Sequence, residues 1–87
     1  MKIIRVFLSE AEPSRETLTL FGDAAEELYG KLLREFKTVA EIPDLDGSPT
    51  QFHIHVSATR HLGVVTTLLR KMLKHHRVAE RVTIERL

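Results

Sequence analysis

Thr38-Val-Ala-Glu-Ile42-Pro43-Asp44-Leu-Asp-Gly47-Ser-Pro49-Thr-Gln51-Phe-His-Ile-His-Val-Ser57 is the stretch on which the fold turns. Thr38 to Ile42 reads as a strand, stopped by Pro43. Asp44 to Pro49 is a turn cluster in which Gly47 is free to take a positive φ and Pro49 is barred from a central ladder. Gln51 to Ser57 then alternates strictly, with Phe52, Ile54 and Val56 facing one way and His53, His55 and Ser57 the other. Two such runs joined by a turn predict a hairpin in the middle of the chain.

Before the hairpin, Lys2 to Leu8 also alternates: Ile4, Val6 and Leu8 share one face, and Ile3, Arg5 and Phe7 the other. A β-branched alternating run of this length predicts a half-buried strand. Ser9 to Arg15, with Pro13, reads as loop. Thr17-Leu-Thr-Leu-Phe21 alternates like a short strand and is read as extended. Asp23 is the expected cap of the first helix, with Glu26 three residues on completing a capping-box pattern. Ala25, Leu28, Tyr29, Leu32, Leu33 and Phe36 then fall on one helical face, while Glu27 and Lys31 are ordered for an i,i+4 pair on the other.

After the hairpin, Ser57 or Thr59 is the expected cap of a second helix running to about His76. Leu62, Val65, Leu69, Met72 and Leu73 form its apolar stripe, with Leu68 at the margin. Residues 81–87 alternate once more, with Val82, Ile84 and Leu87 expected inwards. The order β-α-β-β-α-β resembles the split-βαβ, ferredoxin-like arrangement, an α+β fold with two helices on one face of an antiparallel sheet. The rival is a ubiquitin-like start, in which residues 2–8 and 17–21 pair ahead of a helix over 23–37. That rival lacks its usual C-terminal Gly-Gly tail here.

Size and composition bound the rest. At 87 residues, only about 60–65% of the unfolded surface can be buried, so a single domain over 1–87 with one thin core is expected. No cysteine is present, which excludes disulfides, zinc–thiolate sites and thiol nucleophiles. No apolar run approaches the roughly 20 residues that span a bilayer, and Met1 to Leu8 is too short and too charged for a signal peptide. A cytoplasmic domain with no membrane association is the expectation.

The net charge of +1 conceals a division. Residues 1–46 carry ten acids against six bases, a net −4, while residues 47–87 carry two acids against seven bases, a net +5. All five histidines lie in the second half, and no acid occurs between Asp46 and Glu80. Such asymmetry fits an anionic partner, or a surface that pairs with the acidic half of this chain or another copy. The plainer alternative is that folding intermixes the two halves.

Three constellations stand out. Arg60, Arg70, Lys71, Lys74 and Arg77 fall within about a third of the circumference of the second helix, at 100° per residue. Such an arc could engage successive phosphates or an acidic partner; the bland reading is a solvated face. Ile3, Arg5, Phe7, His53 and His55 lie on the open sheet face. RNA-recognition domains of this topology stack bases on that face, but the residues around Phe52 lack the basic-Gly-aromatic signature. A second copy of the chain is the expected cover. His53 and His55 also share the spacing of a metal-ligand pair, but no third ligand and no acid close in sequence accompany them.

Enzyme motifs are missing. The sequence has no Gly-rich phosphate loop, no nucleophile elbow and no His-Glu-x-x-His helix. Ser57 beside His55 lacks an orienting acid, and Asp44 and Asp46 are not followed by the ligands of a calcium loop. The expected function is a small accessory or regulatory protein without catalytic residues, cofactor or metal. It would act on a protein partner as a homodimer, and nucleic-acid binding through the basic helix or the open sheet face is the alternative.

Overall fold

A computed structural model describes residues 2–87; Met1, the first residue of the domain expected over 1–87, lies outside them. The elements are β1 (Lys2–Leu8), α1 (Arg15–Glu35), β2 (Ala40–Glu41), β3 (Gln51–Val56), α2 (Leu62–His75) and β4 (Val82–Arg86). Short 3₁₀ turns over Thr59–His61 and Ala79–Arg81 flank α2. The strands form one sheet in the order β2-β3-β1-β4, with every neighbouring pair antiparallel. Each strand–helix–strand unit is therefore split, with β3 lying between β1 and β2, and β1 between β3 and β4. The class is the α+β one expected.

The alternation of β1 and β3 sets the two sides of the sheet. Ile4, Val6 and Leu8 from β1 and Phe52, Ile54 and Val56 from β3 are buried, and the residues between them are half-buried. Both helices cover that inner side and share a single core with it. From α2 come Val65, Leu69, Met72 and Leu73, with Leu68 at the margin as the stripe predicted, while Leu62, expected in the stripe, is only partly buried.

The first helix departs from expectation. Residues 17–21 are not extended: they belong to α1, which is 21 residues long. Its cap is Ser14, whose hydroxyl accepts from the Thr17 N–H at 3.1 Å, and Asp23 is an exposed residue inside the helix. The reason is a stripe at helical spacing. Thr17, Phe21, Ala24, Ala25, Leu28 and Leu32 all turn to the sheet, and the Phe21 ring lies 5.4 Å from that of Phe52, tilted by 40°. This longer stripe rotates the helix, so Leu33, expected in the core, is 52% exposed. Lys31 pairs with Glu35 at 3.1 Å rather than with Glu27, which meets His76 of α2 instead. That hydrogen bond from His76 holds the Glu27 carboxyl below its ordinary value.

Four further expectations change. The strand over 38–42 shrinks to Ala40–Glu41, because residues 37–39 are still turning away from α1 through Val39 and Ala40 N–H bonds to the Phe36 carbonyl. No glycine takes a positive φ, Gly47 included. Neither Ser57 nor Thr59 caps α2 through its side chain; the 3₁₀ turn leads into the helix instead. At the other end Arg77 adopts φ 60°, while the Val78 N–H bonds the Leu73 carbonyl and the Arg77 N–H bonds that of Lys74. These paired bonds are a Schellman closure, with buried Val78 as its apolar anchor. β4 covers only part of the run 81–87, and Leu87 is exposed rather than inward.

Candidate binding surfaces

The open side of the sheet gathers all five residues assigned to it. Ile3 stands opposite His55, Arg5 opposite both His53 and Glu85, and Phe7 opposite Gln51 and Thr83. The five are half-buried. Arg5 organises the centre: its Nη1 donates to Glu85 Oε1 at 2.9 Å, and Nε and Nη2 donate to Gln51 Oε1 at 3.2 and 3.1 Å. Its guanidinium also lies 4.1 Å over the Phe7 ring, a cation–π contact on the face that Phe7 was expected to offer to a partner.

His53 has an acidic partner after all. Its Nδ1 lies 2.7 Å from Asp44 Oδ2, and its backbone N–H donates to Asp44 Oδ1 at 3.0 Å. Asp44 is nine residues earlier, and the turn over 43–47 folds it back beside β3. The turn cluster between two strands was the available sign that a distant acid would return to this point. Partial burial by itself would raise the Asp44 carboxyl, but the side-chain and backbone hydrogen bonds from His53 outweigh it and hold the group below its ordinary range.

A carboxyl lowered in the folded state contributes stability above its unfolded pKa of about 3.8, and that contribution is lost as pH falls through the folded value. The pair is partly exposed, so its worth is within about 1 kcal/mol. The stability gap between the wild type and Asp44→Asn in urea unfolding should be larger at pH 6 than at pH 3, and narrow further as pH falls. An equal gap at both values would show that ionised Asp44 contributes nothing.

The basic constellation is rearranged. Only Arg70, Lys71 and Lys74 ride on α2; Arg60 precedes it in the 3₁₀ turn, and Arg77 follows its cap. Arg70 and Lys74, one turn apart, flank a cleft of about 210 Å³ whose other walls are Leu73, Ala79, Val82 and Ile84. Lys74 and Arg77 continue into a neighbouring cleft of about 340 Å³ with Ala79 and Glu80. The structure thus brings Arg70, Lys74 and Arg77 around one groove and leaves Arg60 and Lys71 outside it. Among the described residues none of the five cations is in an ion pair, whereas Arg81 meets Glu10 and Thr17.

The groove runs beside β4, an edge strand. The Arg81 carbonyl accepts from the N–H of Ser9, just past β1, and the Leu87 N–H donates to the Ile3 carbonyl of β1. By the antiparallel alternation, the backbone groups of Val82, Ile84 and Arg86 point away from β1 towards the free edge. Three acids, Asp23, Glu26 and Asp46, line a separate cleft of about 290 Å³ between α1 and the turn before β3. Folding nevertheless intermixes the two halves in part, since the contacts Arg5–Glu85, His53–Asp44, His76–Glu27 and Arg81–Glu10 each join residues 1–46 to residues 47–87.

No helix among the described residues is long and apolar enough to cross a membrane. No protein-family model, curated protein or solved structure matches this chain.

Proposed function

We propose that this chain is a small binding domain that acts by protein–protein contact without catalysis, and that the α2–β4 groove receives an extended acidic segment of its partner. The observation that carries the reading is the coincidence of three features in one place. An apolar floor of Leu73, Val82 and Ile84 lies under a rim of unpaired Arg70 and Lys74, beside the free edge of β4. An extended peptide can add to such an edge through its main chain, while alternate side chains enter the groove and its carboxylates meet the rim. A second copy docking here would bring two sets of Arg70 and Lys74 together, so charge favours an acidic partner. Self-association belongs to the open sheet face, where the row Glu85, Arg5, His53, Asp44 carries an acid at each end and Ile3 and Phe7 keep some apolar surface.

The test is fluorescence anisotropy with a labelled peptide of alternating valine and glutamate. Affinity should fall with added salt and drop by about tenfold or more in Arg70→Glu/Lys74→Glu. Folding stability should barely change, since both side chains are exposed. A peptide that does not bind, or binds the double variant equally well, overturns the reading. Random oligonucleotides at about 50 mM salt are titrated alongside; binding there that the double variant loses would replace the protein partner by nucleic acid. Sedimentation of the same samples reads the second copy, and a monomer throughout the micromolar range removes it.

A further inference from the structure

We propose that Glu27, His75 and His76 form a site for a divalent transition metal of the zinc type, joining α1 to the C-terminal end of α2. Each residue offers one ligand atom, and the three atoms all lie within 4.8 Å of one another. In a tetrahedral zinc site, with bonds of about 2.0–2.1 Å, ligand atoms stand about 3.3 Å apart. Rotation of the exposed Glu27 and His75 and the half-buried His76 can supply this spacing, opening the Glu27–His76 contact and drawing His75 in. Two of the three are already together: the Glu27 carboxylate and His76 Nε2 are in direct contact, and the His75 ring meets that of His76 edge-on with centroids 5.1 Å apart.

Local structure explains the convergence. His75 is the last residue of α2 and His76 its cap, so the helix ends where the two rings fan out. The tight closure through Arg77 and Val78 turns the chain away and leaves that end facing α1. A helix C-terminus carries partial negative charge, which favours a cation there. Of the nearby cations, Lys31 is held by Glu35 at 3.1 Å, while Lys74 and Arg77 line the groove beside β4. Two imidazoles and one carboxylate suit zinc, cobalt, nickel or copper. Magnesium and calcium call for more oxygen ligands. Three protein ligands leave a fourth position for water or for a group from a partner.

His53 and His55, the pair that the sequence presents as metal-like, are the natural control. The probe is zinc chloride titrated calorimetrically into the full chain. One zinc ion per chain is expected, with affinity about tenfold or more weaker in Glu27→Gln and in His75→Gln, since even outer partners of a metal site are worth about 10–100-fold. His53→Gln/His55→Gln should bind as the wild type does. Circular dichroism confirms that each variant is folded. In a parallel melt, zinc at ten times its dissociation constant should raise the wild-type midpoint by about 5 °C or more, and the Glu27→Gln midpoint far less. Absence of zinc binding up to millimolar concentration overturns the proposal. So does unchanged affinity in His75→Gln, loss of binding in His53→Gln/His55→Gln, or equal binding of magnesium.

Discussion

Phe21→Ala should destabilise the domain by about 3–5 kcal/mol, the usual cost of emptying a buried phenylalanine site. Phe21 is 2% exposed and packs against Phe52, itself 2% exposed, at the contact between α1 and β3. The aromatic pair adds roughly 0.5–1.5 kcal/mol beyond the area it buries. A chain of this length has about 4–13 kcal/mol of stability in all, so the loss amounts to between about a quarter and the whole of it. The thermal midpoint should fall by on the order of 20 °C. Leu33→Ala, at an exposed position of the same helix, is the comparison and should stay within about 0.5 kcal/mol of wild type. A loss below about 1 kcal/mol for Phe21→Ala would mean that the first turns of α1 do not carry the core.

A backbone test of the same segment has an effect nearly as large. Thr19 is exposed in the second turn of α1, so its side chain packs against little. Thr19→Pro removes a ladder N–H and places the ring against the preceding turn, which costs about 3 kcal/mol or more inside a helix. Thr19→Ala should move the other way and stabilise by roughly 0.5 kcal/mol through helix propensity. In an extended segment the alanine change would be unfavourable, because threonine prefers strands. Chemical denaturation of the two variants reads both signs. Destabilisation by alanine would contradict a helix at this position.

Parts of the binding surfaces were legible without coordinates and parts were not. Strand alternation put Ile3, Arg5, Phe7, His53 and His55 on one side, and the sheet keeps them there. Alternation gives a side, however, and says nothing of neighbours in other strands. The Arg5 guanidinium over Phe7 and its bond to Glu85, 80 residues away, depend on the β1–β4 register. Helical phase likewise gathered Arg70, Lys71 and Lys74 but overreached at Arg60 and Arg77, since α2 stops short of both. The groove under Arg70 and Lys74 needs β4 as its other wall, and Glu27 reaches His75 and His76 only because the helices lie side by side.

The sequence by itself determined the elements whose apolar residues repeat with a single period. The alternation in residues 2–8 and 51–56 is incompatible with a helix that buries one face, and the stripe from Leu62 to Leu73 is incompatible with a strand. From these came the element order and the α+β class. The segment Thr17-Leu-Thr-Leu-Phe21 was different, because threonine and leucine alternate there in a way that suits either state locally. Read as a strand, it would leave Phe21 on the same face as Thr17 and Thr19, with no continuation into Ala24, Ala25 and Leu28. Only with the sheet in place does the choice resolve. A helix starting at Ser14 sets Thr17, Phe21, Ala24, Ala25, Leu28 and Leu32 on one line over β3, where Phe52 waits for Phe21. It also satisfies the Thr17 hydroxyl, which accepts from Arg81 Nη1 at 2.8 Å. The tertiary structure decided this segment because burial against a distant strand is worth several kcal/mol, whereas local preference between helix and strand is worth a few tenths per residue.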